Sequence, residues 1–212
     1  NGRYSDITVF SFHPIKIITT GEGGMALTND DALFETMTLL RSHGVTRDPR
    51  LWQHEPAGSW HHEQQLLGFN YRLTDIQAAL GQSQLQRLGE LITKRSTLAA
   101  RYNKLLADLP LQLPSIRDGV NSAWHLYVIQ ILPEAVVDHS IVFEALRDAG
   151  IGVQLHYHPV HLQPYYIAQG FSPGYCPEAE RHGETAISLP LHPSLTTEQQ
   201  NQVVQKLHSL LA

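Results

Sequence analysis

Apolar and polar positions along the chain change their period several times, and each change marks an element. Residues 7–12 form a β-branched and aromatic run that reads as a buried strand, and Pro14 with Gly21, Gly23 and Gly24 makes the stretch after it a loop. Residues 24–28 read as a short second strand. Asn29, Asp30 and Asp31 offer caps for a helix in which Leu33, Phe34, Met37 and Leu40 keep helical spacing; Arg41 and His43 suit its last turn and Gly44 its stop. Residues 45–65 lose all periodicity and read as a long functional loop. Thr74 with Gln77 is a capping-box pattern, and Ile76, Leu80, Leu88, Leu91, Leu98, Tyr102 and Leu106 continue as one apolar stripe. The stripe predicts a long, bent helix over 75–108 with Gly81 and Gly89 as its weak points. Strand and helix then alternate: a strand over 123–132, a helix over 141–149 closed by Gly150, a strand over 152–158 and a helix over 178–186. A last helix is opened by Thr197 with Gln200 and repeats Val203, Val204, Leu207 and Leu211 on one face. The pattern is α/β.

Composition narrows the function. With 42% hydrophobic and 17% charged residues in 212, the chain reads as a soluble folded protein with a real core. A net charge of −5 disfavours nucleic acid as a partner. One cysteine, Cys176, excludes an intrachain disulfide, and neither a membrane-spanning apolar run nor a signal peptide with a basic start is present, so the cytoplasm is the expected compartment. The chain starts at Asn1 without methionine and enters a strand within a few residues, so it is expected to be cut from something longer.

Lys16 carries the sharpest candidate chemistry. It sits between an apolar strand and a glycine-rich turn, where a partly desolvated amine can form a Schiff base with an aldehyde cofactor and the Ser11 hydroxyl can meet that cofactor's phosphate. A solvated loop lysine is the plain alternative. Asn70 and Arg72 precede a helix start, where an amide and a guanidinium can meet an anion. A strand over 152–158 puts His156 and His158 on one face, and His161 can return to them after Pro159, which offers three imidazoles to a metal. The 60–63 patch, with His61 and His62 adjacent, reads as solvated loop.

The run Phe10-Ser11-Phe12-His13-Pro14-x-Lys16 with Thr20-Gly21-Glu22-Gly23-Gly24 resembles the cofactor-lysine motif of the DegT/DnrJ/EryC1/StrS sugar aminotransferases. Gly68-Phe69-Asn70-Tyr71-Arg72-Leu73-Thr74-Asp75, the stretch from Gly150 through His156-Tyr157-x-Pro159-Val160-His161 to Tyr165, and Ser188-Leu189-Pro190-Leu191-x-Pro193 are similar to further motifs of that family, in family order. The resemblance implies a fold-type I pyridoxal-phosphate enzyme, with 1–95 as the C-terminal part of a large cofactor domain and 96–212 as the small C-terminal domain. It implies that Lys16 holds pyridoxal 5′-phosphate, that Ser11 binds the phosphate, and that Asn70, with Arg72 as its companion, reaches the neighbouring subunit's cofactor in a homodimer with shared sites. Tyr157 and His161 then line the sugar-nucleotide pocket, which accounts for that stretch without a metal. The implied reaction moves an amino group, from glutamate as donor, to a UDP-linked 4-keto-6-deoxy sugar. About the first half of such an enzyme is missing, so the site is expected to be incomplete in this chain alone. Two rival readings stay beside it: a sugar dehydratase of the same family, which carries histidine where Lys16 stands, and an inactive fragment or paralogue that acts only through dimerisation.

Overall fold

The computed structural model describes residues 3–212, which leaves the abrupt start at Asn1 and Gly2 outside the described residues. The chain divides between Leu88 and Gly89 into two compact units. In the first, β1 (Thr8–Ser11) pairs antiparallel with β2 (Gly24–Leu27), Ser11 facing Gly24 across the ladder. Helix α1 (Asp31–Arg41) follows; the Asp30 carboxylate caps it by accepting the Leu33 N–H at 2.9 Å. The stretch after α1, expected to be irregular, has paired ends, because β3 (Val45–Thr46) runs antiparallel to β4 (Glu63–Gln64). Gly44 makes that approach feasible: it holds φ +69°, and a Cβ there would collide with the Leu66 carbonyl oxygen.

The single long helix of the sequence reading is two helices. Helix α2 (Asp75–Gln86) opens on the predicted capping box, with both the Thr74 and the Gln77 side-chain bonds made. It stops at Arg87, whose N–H is shared between the Gln84 and Leu85 carbonyls, and α3 (Leu88–Leu105) begins at once. Neither Gly81 nor Gly89 is the break.

The second unit contains most of α3 and holds the apolar core. Its sheet runs in the order β5 (Leu111–Gln112), β6 (Tyr127–Ile131), β7 (Ala186–Leu189), all antiparallel, with Ile131 opposite Leu111 and Tyr127 opposite Leu189. Helices α4 (His139–Asp148), α5 (Pro164–Ile167), α6 (Pro177–Thr185) and α7 (Thr197–Leu211) complete it. Tyr102 and Leu106 from α3 and its end, Tyr127 and Ile129 from β6, Val142 and Leu146 from α4, Ile187 from β7 and Leu207 from α7 are all fully buried in one cluster. The helical contributors recur three or four residues apart, which is how one stripe of each helix reaches the core. By contrast, no apolar side chain before Leu91 is buried among the described residues, and Val9, Phe34 and Ile76 are 75%, 61% and 84% exposed.

Three expectations shift here. The strand over 152–158 reduces to one bridge, Gln154 with Ser188, so the shared face proposed for His156 and His158 loses its premise. Residues 186–189 form β7, where the sequence reading ended a helix at 186 and gave no strand. The last helix is capped one residue earlier, by Thr196 with Gln199, which turns Gln200 inward: fully buried, it donates to the Leu98 carbonyl at 2.8 Å and accepts from Arg101 Nη1 at 2.9 Å.

Arg95 is the buried cation of this unit, at 5% exposure. Its Nη1 donates to the carbonyls of Trp124 at 3.1 Å, His125 at 3.2 Å and Leu191 at 2.8 Å, tying together two loops far apart in sequence. One of them holds Trp124 at φ +50°, a conformation bulky residues avoid unless the surroundings enforce it. Burial lowers the guanidinium pKa from its ordinary value. Replacing Arg95 by methionine should leave three carbonyls unpaired and lower the unfolding free energy by about 1–3 kcal/mol; denaturant titration of the variant checks this, and an unchanged midpoint would refute the role.

Candidate functional site

Lys16 stands on a loop built from the chain's own polar groups. Pro14 sits at the second position of the turn His13-Pro14-Ile15-Lys16, where its fixed φ suits the bend, and the Lys16 N–H closes that turn on the His13 carbonyl at 2.9 Å. At the base, the Phe12 carbonyl accepts the Thr20 N–H at 3.1 Å and the Thr19 hydroxyl at 2.9 Å, while the Phe12 N–H bonds the Gly23 carbonyl at 2.9 Å. Thr20 is buried, and its hydroxyl donates to the Glu22 carbonyl at 2.6 Å. A Cβ on Gly81 would lie 2.7 Å from Thr20 Cγ2, so α2 carries glycine where the loop presses against it. Gln77 adds a bond from Nε2 to the Glu22 carbonyl at 3.0 Å. The lysine is half-buried, and Ser11, at the end of β1, is exposed, its hydroxyl 3.5 Å from the His13 N–H that points to it.

Asn70 and Arg72 lie on an extended segment held to the end of α1: Phe69 N–H bonds the Leu40 carbonyl at 2.7 Å and Tyr71 N–H the Arg41 carbonyl at 2.9 Å. Phe69 and Tyr71 stack with ring centroids 4.8 Å apart, leaving Asn70 and Arg72 to share the other face. The structure thus gathers Ser11 with Lys16 on one loop and Asn70 with Arg72 on one face of another segment.

Within the stretch expected to be a long functional loop, the 60–63 patch, expected to be solvated, is organised by Glu63. Its carboxylate accepts the N–H groups of Gln53 at 2.7 Å and His54 at 2.9 Å, and meets His54 Nδ1 at 3.0 Å and His61 Nε2 at 3.3 Å. His61 and His62 precede β4 and part there: His61 turns to Glu63, whereas His62 Nδ1 bonds the Trp60 carbonyl at 3.1 Å. These bonds, that from the Gln53 N–H foremost, hold the carboxyl down at about 2 against the opposing effect of burial.

In the second unit, Tyr157 is 66% exposed, whereas His161 is 8% exposed. His161 Nε2 lies 2.7 Å from Glu180 Oε1, and the same carboxylate accepts the Gly174 N–H at 2.8 Å and the Cys176 N–H at 3.4 Å. The Gly174 N–H and then His161 lower the Glu180 pKa from its ordinary value. Nothing in the local spacing announces this pair, since its members are 19 residues apart. His156 Nδ1 pairs with the buried Ser188 hydroxyl at 2.8 Å. Among the described residues, no group of three or more histidine, cysteine or acidic side chains is placed to hold a metal, and no helix is long and apolar enough to cross a membrane.

Comparison with known proteins adds a family match, a relative and two solved structures. Residues 1–208 match the description of the DegT/DnrJ/EryC1/StrS aminotransferase family. The chain is 35% identical to a UDP-4-amino-4,6-dideoxy-N-acetyl-beta-L-altrosamine transaminase of Campylobacter jejuni, over 99% of this chain and 54% of that protein. Among solved structures, Helicobacter pylori PseC, an aminotransferase involved in the biosynthesis of pseudoaminic acid, superposes with a TM-score of 0.86 at 34% identity, over 98% of this chain and 53% of that one. The PLP form of the putative sugar aminotransferase Spr1654 from Streptococcus pneumoniae superposes with a TM-score of 0.88 at 28% identity, over 99% and 53%. The chain therefore spans about half the length of the relatives it matches.

The Glu63 cage gives a pH signature. Because the folded-state pKa of about 2 lies below the ordinary 4.5, its contribution is fully present above pH 4.5 and is lost as pH falls toward 2. A carboxyl NMR titration should show Glu63 with a midpoint near 2 and the Gln53 and His54 amides losing exchange protection over the same window. A midpoint at the ordinary value would refute the cage.

Proposed function

The chain belongs to the DegT/DnrJ/EryC1/StrS aminotransferase family, and from that premise we propose that the complete protein is a pyridoxal-phosphate-dependent transaminase acting on a nucleotide sugar. The amino acceptor is a UDP-linked 4-keto-6-deoxy sugar, in line with what the Campylobacter relative is named for, and glutamate is the amino donor. The observation that carries the reading is Lys16 at the apex of a hydrogen-bonded loop, one turn beyond Ser11 at a strand end.

The residues present suit the cofactor: a half-buried primary amine for its aldehyde, an exposed hydroxyl for its phosphate, and an amide and a guanidinium for the same anion. Bound there, pyridoxal phosphate supplies the electron sink for the carbanion at the donor's α-carbon. Lys16 Nζ would hold the cofactor's aldehyde carbon, and as a free amine it would move the proton of that α-carbon. Ser11 Oγ donates to the phosphate. Asn70, with Arg72 beside it, serves the phosphate in the partner subunit's site, so the working form is a homodimer; the exposed Ile76 and Leu80 of α2 offer apolar surface for such a contact. Tyr157 contacts the sugar nucleotide. His161 is assigned to the same substrate, and its Nε2 is bound to Glu180. A lysine at position 16 argues against the dehydratase reading, and the cytoplasm is the proposed compartment.

Borohydride reduction of the holoenzyme followed by peptide mapping should leave the pyridoxyl adduct on Lys16, and Lys16→Ala should abolish turnover. An adduct on Lys94, Lys104 or Lys206 would sink the mechanism. Mixing Lys16→Ala with Asn70→Ala subunits should restore part of the activity, because one site of each heterodimer is then fully wild type. No recovery despite demonstrated subunit exchange would place Asn70 in its own chain's site.

A further inference from the structure

Tyr157 and His161 lie on a segment with little regular structure of its own, a single 3-10 turn over Val160–Leu162. Its shape is imposed from outside. At its start, His156 Nδ1 pairs with the Ser188 hydroxyl of β7 at 2.8 Å, and His182 Nε2 of α6 donates to the His156 carbonyl at 3.2 Å. In its middle, α6 closes on Pro159 at Gly183, where a Cβ would lie 2.7 Å from Pro159 Cδ, so any larger residue would press the segment away. Toward its end, His161 Nε2 meets Glu180 Oε1 of the same helix at 2.7 Å. Glu180 and Gly183, three residues apart, share a face of α6. One short helix therefore holds the segment at three points.

Glu180 is the member of this set that carries charge. Its two oxygens also accept the Gly174 N–H, at 2.8 and 2.9 Å, and one of them the Cys176 N–H at 3.4 Å, so a single carboxylate joins the turn before α6 to the turn that holds His161. The Gly174 N–H and then His161 favour its ionised form. An ionised carboxylate only accepts, so His161 Nε2 carries a hydrogen whether the ring is neutral or charged. The contact thus fixes two properties of His161, where its ring sits and which nitrogen is the constant donor. At 8% exposure the imidazole has little room for another geometry.

We propose that Glu180 is a positioning residue for the sugar nucleotide, acting through His161 by fixing its ring and its Nε2 hydrogen. The inference rests on the reading that His161 meets that substrate. It gives α6 a part in binding that neither the lysine loop nor the 68–72 segment supplies.

Steady-state transamination by the complete protein, with glutamate saturating and a UDP-linked 4-keto-6-deoxy sugar varied, tests this in wild type, Glu180→Ala, His161→Ala and the double variant. Glu180→Ala should raise the KM for the sugar roughly tenfold or more, the loss expected for a charge-assisted bond, while kcat stays close to that of wild type. Added to His161→Ala, it should raise KM little further, because its effect passes through the ring. A pair that only stabilises the fold would lower the thermal midpoint and leave KM alone. That result overturns the inference, as does a KM increase that multiplies in full with that of His161→Ala. Should Glu180→Ala fail to fold, Glu180→Gln keeps the side chain's size and one acceptor oxygen without the charge, and the same comparison is read from it. If wild type turns over the sugar and the Glu180 variants keep its KM, this inference alone falls. If wild type does not turn over the sugar, the aminotransferase reading falls first and takes this inference with it.

Discussion

The loop that carries Lys16 has no helix or strand of its own between β1 and β2, and its shape depends on the Phe12 carbonyl accepting two donors, the Thr19 hydroxyl at 2.9 Å and the Thr20 N–H at 3.1 Å. Each bond contributes about 1 kcal/mol net, but leaving a buried member unpaired costs about 1–3 kcal/mol, so the closure is held mainly by the penalty of opening it. Thr20, buried at the base, then fixes the loop to α2, where Gly81 accepts a helix-propensity loss of about 1 kcal/mol relative to alanine to let it in. Gln77 serves twice, in the capping box of α2 and on the Glu22 carbonyl. One helix start therefore sets both the lysine loop and the segment that presents Asn70 and Arg72.

Two other loops are organised by the same device, a carboxylate used as an acceptor for backbone N–H groups and a histidine together. Glu63 gathers Gln53, His54 and His61; Glu180 gathers Gly174, Cys176 and His161. In neither case is the carboxylate paired with lysine or arginine, so the charge is stabilised by dipoles and imidazoles, and the bonded N–H groups hold both carboxyls below their ordinary pKa. The arrangement orders long irregular stretches whose backbone groups otherwise face water or nothing.

What could be read from the sequence follows the range of the interaction. The Thr74 capping box, the Asp30 cap and the turn before Lys16 each involve neighbours within four residues, and each was legible in local spacing. The same locality misplaced the last cap, since Thr196 and Thr197 present equivalent patterns with Gln199 and Gln200, and only the burial of Gln200 against Leu98 and Arg101 decides between them. Strand β7 was hidden because four residues directly after a helix, one of them Ser188, are too short to show a period and are defined by pairing with β6. Arg95 with its three carbonyls and the His161–Glu180 pair bring together residues far apart in sequence, and no spacing announces them.

The absence of buried apolar side chains before Leu91, among the described residues, bears on what holds the first unit in shape. Ordering the backbone costs about 1–2 kcal/mol per residue, which the second unit offsets by closing Tyr102, Tyr127, Ile129 and Leu207 into one cluster and the first has no equivalent means of offsetting. Its exposed Val9, Phe34 and Ile76 are instead apolar surface left open to contact, so the order of the Lys16 region rests on its hydrogen bonds and on whatever covers that surface.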